Sequence, residues 1–83
     1  MMTKHLTIRL NYGAGLDYQD LPLRYILADT IEERGIGKVI NEGAGEYYME
    51  VQVKIDGRMD YHQEIISILE SLSLMPHAEL IYE

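Results

Sequence analysis

Two short loops in the sequence carry residue types that often bind ligands. Each contains a Gly-Ala-Gly tripeptide, at residues 13–15 and at residues 43–45, and each tripeptide is soon followed by an acid and a tyrosine. Glycine-rich loops bind phosphates with their backbone N–H groups when a helix begins just after them and a basic residue lies nearby. Clustered carboxylates instead suit Mg²⁺, Ca²⁺ or Mn²⁺, which prefer oxygen ligands.

The context of the two loops argues against both kinds of chemistry. The second loop lies between two predicted strands and offers no helix N-terminus, and the first is followed by Asp17 and Asp20 rather than by a basic residue. The acids near the loops and His77 match no known metal-binding motif. We therefore assign no catalytic residue, metal ligand or cofactor. We expect the two Gly-Ala-Gly loops to be bends of the chain, whose residues could still form part of a binding surface.

Alternation of apolar and polar side chains predicts four strands. The two clearest run over residues 6–12 and 47–55, and shorter ones run over residues 36–41 and 77–82. In the third strand the alternation starts at Tyr47, so we predict that the ring of this residue points inward.

Two segments, residues 22–34 and residues 61–72, have the spacing of amphipathic helices. Asp17 or Asp20 is predicted to cap the first helix. The inner stripe predicted for this helix consists of Leu23, Ile26, Leu27, Thr30 and Ile31. The resulting order, β-α-β-β-α-β, is typical of a ferredoxin-like α+β sandwich. We expect a four-stranded antiparallel sheet with both helices on one face, and one domain that spans residues 1–83.

This topology predicts where the two Gly-Ala-Gly loops lie. In such a sheet the strands stand in the order fourth, first, third, second, and both loops then fall at the same end of the sheet. Loops on a rigid scaffold often carry binding residues, so we predict that a ligand or a protein partner binds here. The residues predicted for this site are Gly13, Gly15, Asp17, Tyr18, Glu42, Gly43, Gly45, Glu46, Tyr48 and His77.

One stretch, QDLPLRYILADTIEERGIGKVINEG, resembles the start of ACT domains, a family of regulatory modules with this fold. Those domains place an acid and Pro-Gly-Leu before the first helix, and Gly-Ile or Gly-Val after it. The resemblance is carried by Asp20, Leu21, Pro22, Gly35 and Ile36. Leu23 stands where the family has glycine. The resemblance implies a sensor that binds a small ligand at the two Gly-Ala-Gly loops.

Charge and composition limit the classes of partner. The 83 residues include 14 acids and only seven lysines and arginines, which gives a formal net charge of −7. Because nucleic acids and anionic membranes attract basic surfaces, we expect neither as a partner. The absence of cysteine and of any long apolar segment predicts a cytoplasmic protein.

Together these observations favour a small acidic module, not an enzyme, that binds another protein. Its charge favours a basic partner, and small immunity or regulatory proteins are the class that we expect. An ACT-like ligand sensor and a divalent-metal enzyme that uses the same acidic edge are the alternatives. A thin core and one uncovered face of the sheet also predict a homodimer.

Overall fold

The computed structural model of the chain describes residues 3–13 and 15–83, without the side chain of Tyr18. Strands and helices follow one another in the predicted order. The strands are β1 (Thr3–Asn11), β2 (Gly37–Ala44), β3 (Tyr48–Asp56) and β4 (Ala78–Tyr82), and the helices are α1 (Leu21–Glu33) and α2 (His62–Ser71). Ala14, in the first Gly-Ala-Gly tripeptide, lies outside the described residues.

The four strands form one antiparallel sheet in the order β2-β3-β1-β4. Strand β1 lies in the middle, where Arg9 stands opposite Glu50 of β3 and Glu79 of β4. The buried residues of both helices belong to the same apolar cluster as one face of this sheet, so the helices cover that face and leave the other open. The predicted ferredoxin-like α+β sandwich is therefore confirmed.

Alternation along β1 and β3 supplies the sheet's half of the core. Side chains at every second position have little or no exposed surface, as expected for strands that are covered on one face. The sheet residues of the core are Leu6, Ile8, Leu10, Met49, Val51, Val53 and Ile55. From α2 the core receives Ile65, Ile68 and Leu69.

Helix α1 is rotated relative to the predicted inner stripe. Its buried residues are Arg24, Leu27, Ala28 and Ile31, which recur at intervals of three and four along one helix face. Ile26 is 46% exposed, so its prediction as an inward residue was wrong. The stripe was predicted from hydrophobicity alone, which cannot show that an arginine will be buried beside a charged partner.

The start of β2 approaches β3 so closely that a side chain would not fit at residue 37. A Cβ atom on Gly37 would lie 2.6 Å from the carbonyl oxygen of Lys54 and 2.8 Å from side-chain carbons of Val53 and Ile55. The oxygen belongs to the neighbouring backbone and cannot move without disturbing the ladder. At Gly43, in the same strand, the nearest atom is a side-chain carbon of Glu50 at 3.8 Å, an ordinary contact.

These two glycines of β2 give a matched pair of substitutions. Gly37→Ala should lower the free energy of unfolding by about 1–3 kcal/mol, the usual cost of forcing extra atoms into a packed site. Gly43→Ala should stay within about 1 kcal/mol of the original protein, since strand interiors tolerate alanine at least as well as glycine. Urea denaturation measures both. Equal stabilities would mean that β2 and β3 are not in the close contact described.

Candidate functional site

The two Gly-Ala-Gly loops are neighbours, as the topology predicted. Strand β1 ends beside the start of β3, where Asn11 pairs with Tyr48. Just beyond, the backbone N–H of Tyr12 donates to the carbonyl oxygen of Tyr47 at 2.9 Å, which joins the chain before the first loop to the tip of the second. We call residues 12, 13 and 15–17, residues 43–48 and His77 together the glycine-loop edge.

The first loop is a tight bend. Gly13 and Leu16 exchange two backbone hydrogen bonds, of 2.8 and 3.0 Å. Gly13 and Gly15 have φ angles of +121° and +98°, which residues with a Cβ rarely adopt. Leu16 is only 5% exposed and anchors the loop in the core. The glycines of this loop therefore have a clear conformational role.

Asp17 and Asp20 fix the backbone that leads into α1. The Asp17 carboxylate accepts a hydrogen bond from the N–H of Gln19 at 2.7 Å, and the Asp20 carboxylate accepts one from the N–H of Asp17 at 2.9 Å. This reciprocal pair caps a short 3-10 turn, Tyr18–Asp20, that precedes the helix. Neither acid caps α1 itself through its side chain, so that prediction was wrong in detail. The side chain of Tyr18, a predicted site residue, lies outside the description.

The second loop presents an acid and an aromatic ring to solvent. Gly45 closes the β2–β3 hairpin by donating its N–H to the carbonyl oxygen of Tyr48 at 2.8 Å. Glu46 and Tyr47 form the tip, and Tyr47 is 77% exposed. The prediction that Tyr47 points inward was wrong, because the ladder starts at Tyr48 and alternation does not extend into the turn.

Glu42 carries a charge that is already paired inside the molecule. Its carboxylate lies 3.4 Å from Nε of Arg24, whose side chain is only 9% exposed. The Nε–H makes no aligned hydrogen bond, so the attraction is between charges rather than through a directed bond. The guanidinium carbon also lies 5.0 Å from the ring centre of Tyr25. The contact between Arg24 and Glu42 links α1 to β2 next to the glycine-loop edge. Glu42 therefore has a structural role.

Tyr48, another predicted site residue, lies on the open face of the sheet. Its ring is covered by the guanidinium of Arg9, whose central carbon is 4.4 Å from the ring centre. Such cation–π contacts help to hold an arginine side chain in place, and Arg9 is itself half-buried. The register also puts Glu50 and Glu79 on either side of Arg9. Tyr48 is thus half-buried, and Arg9 of the same chain already covers one face of its ring.

His77 is the part of the glycine-loop edge that lies next to β4. It ends a 3-10 turn, Met75–His77, and its carbonyl oxygen accepts a hydrogen bond of 3.4 Å from the side-chain amide of Asn11. Two shallow grooves flank the edge. One, of about 470 Å³, runs from Asn11 to Glu79 past His77, and the other, of about 460 Å³, follows the second loop.

A third groove, of about 380 Å³, lies at the opposite end of the sheet, and the sequence did not predict a site there. Lys4 lies beside it on the helix-covered face, while Nδ1 of His62 lies 2.8 Å from the hydroxyl of Tyr82. Burial, and next the charge of Asp60, raise the pKa of Tyr82. Only the strand register brings these residues together, because they are distant in sequence and form no motif.

Beside this groove Arg58 makes a two-pronged contact with the Asp56 carboxylate, at 3.1 and 3.0 Å. The hydrogen bonds from Arg58 hold the pKa of Asp56 below its ordinary value, and the same contact raises the pKa of Arg58. These charges sit in solvent, where a pair contributes little to stability. The Asp56 carboxylate also accepts a hydrogen bond of 2.9 Å from the backbone N–H of Arg58 in this turn.

Comparison with known proteins finds no family model and no curated protein that matches the chain. Within residues 3–13 and 15–83, no three histidine, aspartate or glutamate side chains are arranged to hold a metal ion. No helix in the same residues is both long enough and apolar enough to cross a membrane.

The contact between the nearly buried Arg24 and the more exposed Glu42 leads to a prediction on stability. Glu42→Gln should lower the free energy of unfolding by about 1–3 kcal/mol, because it leaves the nearly buried Arg24 without its counter-charge. Glu46→Gln, the same chemical change at the exposed hairpin tip, should cost less than about 0.5 kcal/mol. Urea denaturation of the two variants compares them directly. If Glu42→Gln were as stable as Glu46→Gln, the pair would not hold α1 against β2.

Proposed function

We propose that this protein is a non-enzymatic interaction module that binds a basic protein through the glycine-loop edge. The observation that carries the proposal is the tip of the β2–β3 hairpin, where Tyr47 is 77% exposed beside Glu46. Tyrosine is enriched in protein interfaces, where its large, stiff ring supplies contact area at a low cost in conformational entropy.

The hairpin tip is held in place before any partner arrives. The N–H of Gly45 and the carbonyl oxygen of Tyr48 close the turn, and the carbonyl oxygen of Tyr47 is bonded to Tyr12 of the first loop. Leu16 anchors that loop in the core. A surface that is already ordered loses less entropy on binding, so more of the contact energy appears as affinity.

Charge favours a basic partner. The described residues contain two ion pairs, Arg24 with Glu42 and Arg58 with Asp56. These pairs neutralise two of the 14 acids of the chain. The chain as a whole has a net charge of −7. An acidic surface speeds the encounter with a basic protein and disfavours acidic ones. The cytoplasm is the compartment that we propose, since a chain without cysteine suits a reducing environment.

A capture experiment with matched double variants tests this function. The tagged protein is used to isolate partners from native lysate, and the affinity for a captured protein is then measured by calorimetry. Tyr47→Ser with Glu46→Gln should weaken binding at least tenfold, or about 1.4 kcal/mol. The control, Met59→Ser with Glu64→Gln, removes an exposed apolar side chain and a charge at the opposite end and should bind as the original protein does.

Two results would overturn the proposal. One is a well-folded tip variant that binds the captured protein with unchanged affinity, which would move the function to another surface. The other is a chain that captures nothing but gains about 2.7 kcal/mol of stability from an amino acid or a divalent cation at 100 times its dissociation constant. That result would favour the ACT-like sensor or the metal-dependent enzyme.

A further inference from the structure

The two edges of the sheet are protected to different degrees. On the β2 edge, the N–H of Val39 donates to the Glu32 carboxylate of α1 at 3.1 Å, and a bulge interrupts the register between Val39 and Asn41. Bulges and edge groups that are already bonded are devices by which proteins prevent further strands from adding to a sheet. A strand that paired with β2 would find the N–H of Val39 already bonded and the ladder interrupted by the bulge.

Within the described residues, the β4 edge has no bulge, and of its outward backbone groups only the N–H of Ala78 is already bonded. Its pairing with β1 is regular from Ala78 to Tyr82, and the strand, AELIY, contains no proline, lysine or bulge. Three of its side chains, Leu80, Ile81 and Tyr82, leave apolar surface partly or largely exposed. This edge is therefore the one to which another strand could add.

The hydrogen bonds of β4 show which backbone groups point outward. His5 and Glu83 exchange two bonds, of 3.2 and 2.9 Å, so both groups of Glu83 point toward β1. In an antiparallel ladder this direction alternates, and the N–H and C=O groups of Leu80 and Tyr82 therefore point away from β1. Ala78 offers only its carbonyl oxygen, because its N–H is bonded to Met75.

We propose that this edge binds β4 of a second copy of the chain, antiparallel, with the two Leu80 residues opposite each other on a two-fold axis. The outward groups then match. Each Leu80 donates its N–H to the other Leu80, and each Tyr82 donates its N–H to the carbonyl oxygen of the second copy's Ala78. Two four-stranded sheets become one continuous sheet, in which both outward groups of Leu80, the N–H of Tyr82 and the carbonyl oxygen of Ala78 gain partners. The carbonyl oxygen of Tyr82 gains none, because the N–H of Ala78 is already bonded to Met75.

The side chains of β4 suit this self-pairing. On the open face, Glu79 stands opposite the second copy's Ile81, and at the ends of the ladder Glu83 stands opposite the second copy's His77. No two like charges are directly opposite, an arrangement that would destabilise the pair. On the helix-covered face, Leu80 meets Leu80, which buries apolar surface that is half-exposed in one copy.

The dimer has a consequence for binding. Because the two β4 strands run in opposite directions, the two glycine-loop edges lie at opposite ends of the joined sheet. The tip residues Glu46 and Tyr47 are far from the axis and stay accessible. A dimer of this kind presents two identical binding edges that face away from each other.

Sedimentation and amide hydrogen exchange test the proposal on the full chain. Sedimentation equilibrium should show a dimer that dissociates on dilution. The amides of Leu80 and Tyr82 should exchange at least about tenfold more slowly in the dimer than in the monomer, because they are bonded only across the interface. The amide of Ile81, which bonds to β1 within one copy, should be protected at every concentration.

Two substitutions at residue 80 separate the backbone contact from the side chain. Leu80→Pro and Leu80→Ala both remove the leucine side chain, but only proline removes the outward N–H, which an edge strand tolerates. Circular dichroism should show both variants folded, and Leu80→Pro should be the more strongly monomeric of the two.

A protein that is monomeric at millimolar concentration would overturn the proposal. So would a dimer in which Leu80 and Tyr82 exchange as fast as in the monomer, or one that Leu80→Pro and Leu80→Ala weaken equally. The last two results would place the contact between copies elsewhere, with the open face of the sheet as the next surface to examine.

Discussion

The antiparallel pairing of β1 with β3 is the contact on which the rest of this structure depends. Nine residues of each strand pair in one uninterrupted register, from Thr3 with Asp56 to Asn11 with Tyr48. A slip of one residue would turn the apolar side chains of either strand toward solvent, so burial of one face fixes the register. The register in turn places the ends of both strands side by side, and with them the two glycine loops.

A second constraint is the burial of one arginine. Arg24 occupies a core position of α1, and a charge can be buried there only because Glu42 of β2 faces it. The pair joins the first half of the helix to β2. Near the other end of α1, Glu32 binds the backbone of β2 at Val39. Two carboxylates thus attach α1 to the edge strand β2. Glu42 of β2 pairs with the side chain of Arg24, and Glu32 of α1 accepts a hydrogen bond from the backbone of Val39.

Much of the fold was predictable from the sequence, whereas much of the site was not. Alternation and helical spacing predicted the order of elements and the meeting of the two loops, because both follow from local patterns and topology. Tyr47 was misplaced because the strand ladder begins one residue later. Arg24 was overlooked because its burial depends on a residue eighteen positions away. The groove beside Lys4 and Tyr82 was missed because nothing local links the two ends of the chain.

Amide hydrogen exchange, measured on the chain alone and on the chain bound to its captured partner, tests whether the two glycine loops act as one binding surface. A shared surface predicts that residues 12–17 and 43–48 gain protection together, while the turn at residues 56–58 is unchanged. Protection of one loop without the other, or protection confined to the open face of the sheet around Thr7 and Gln52, would contradict it.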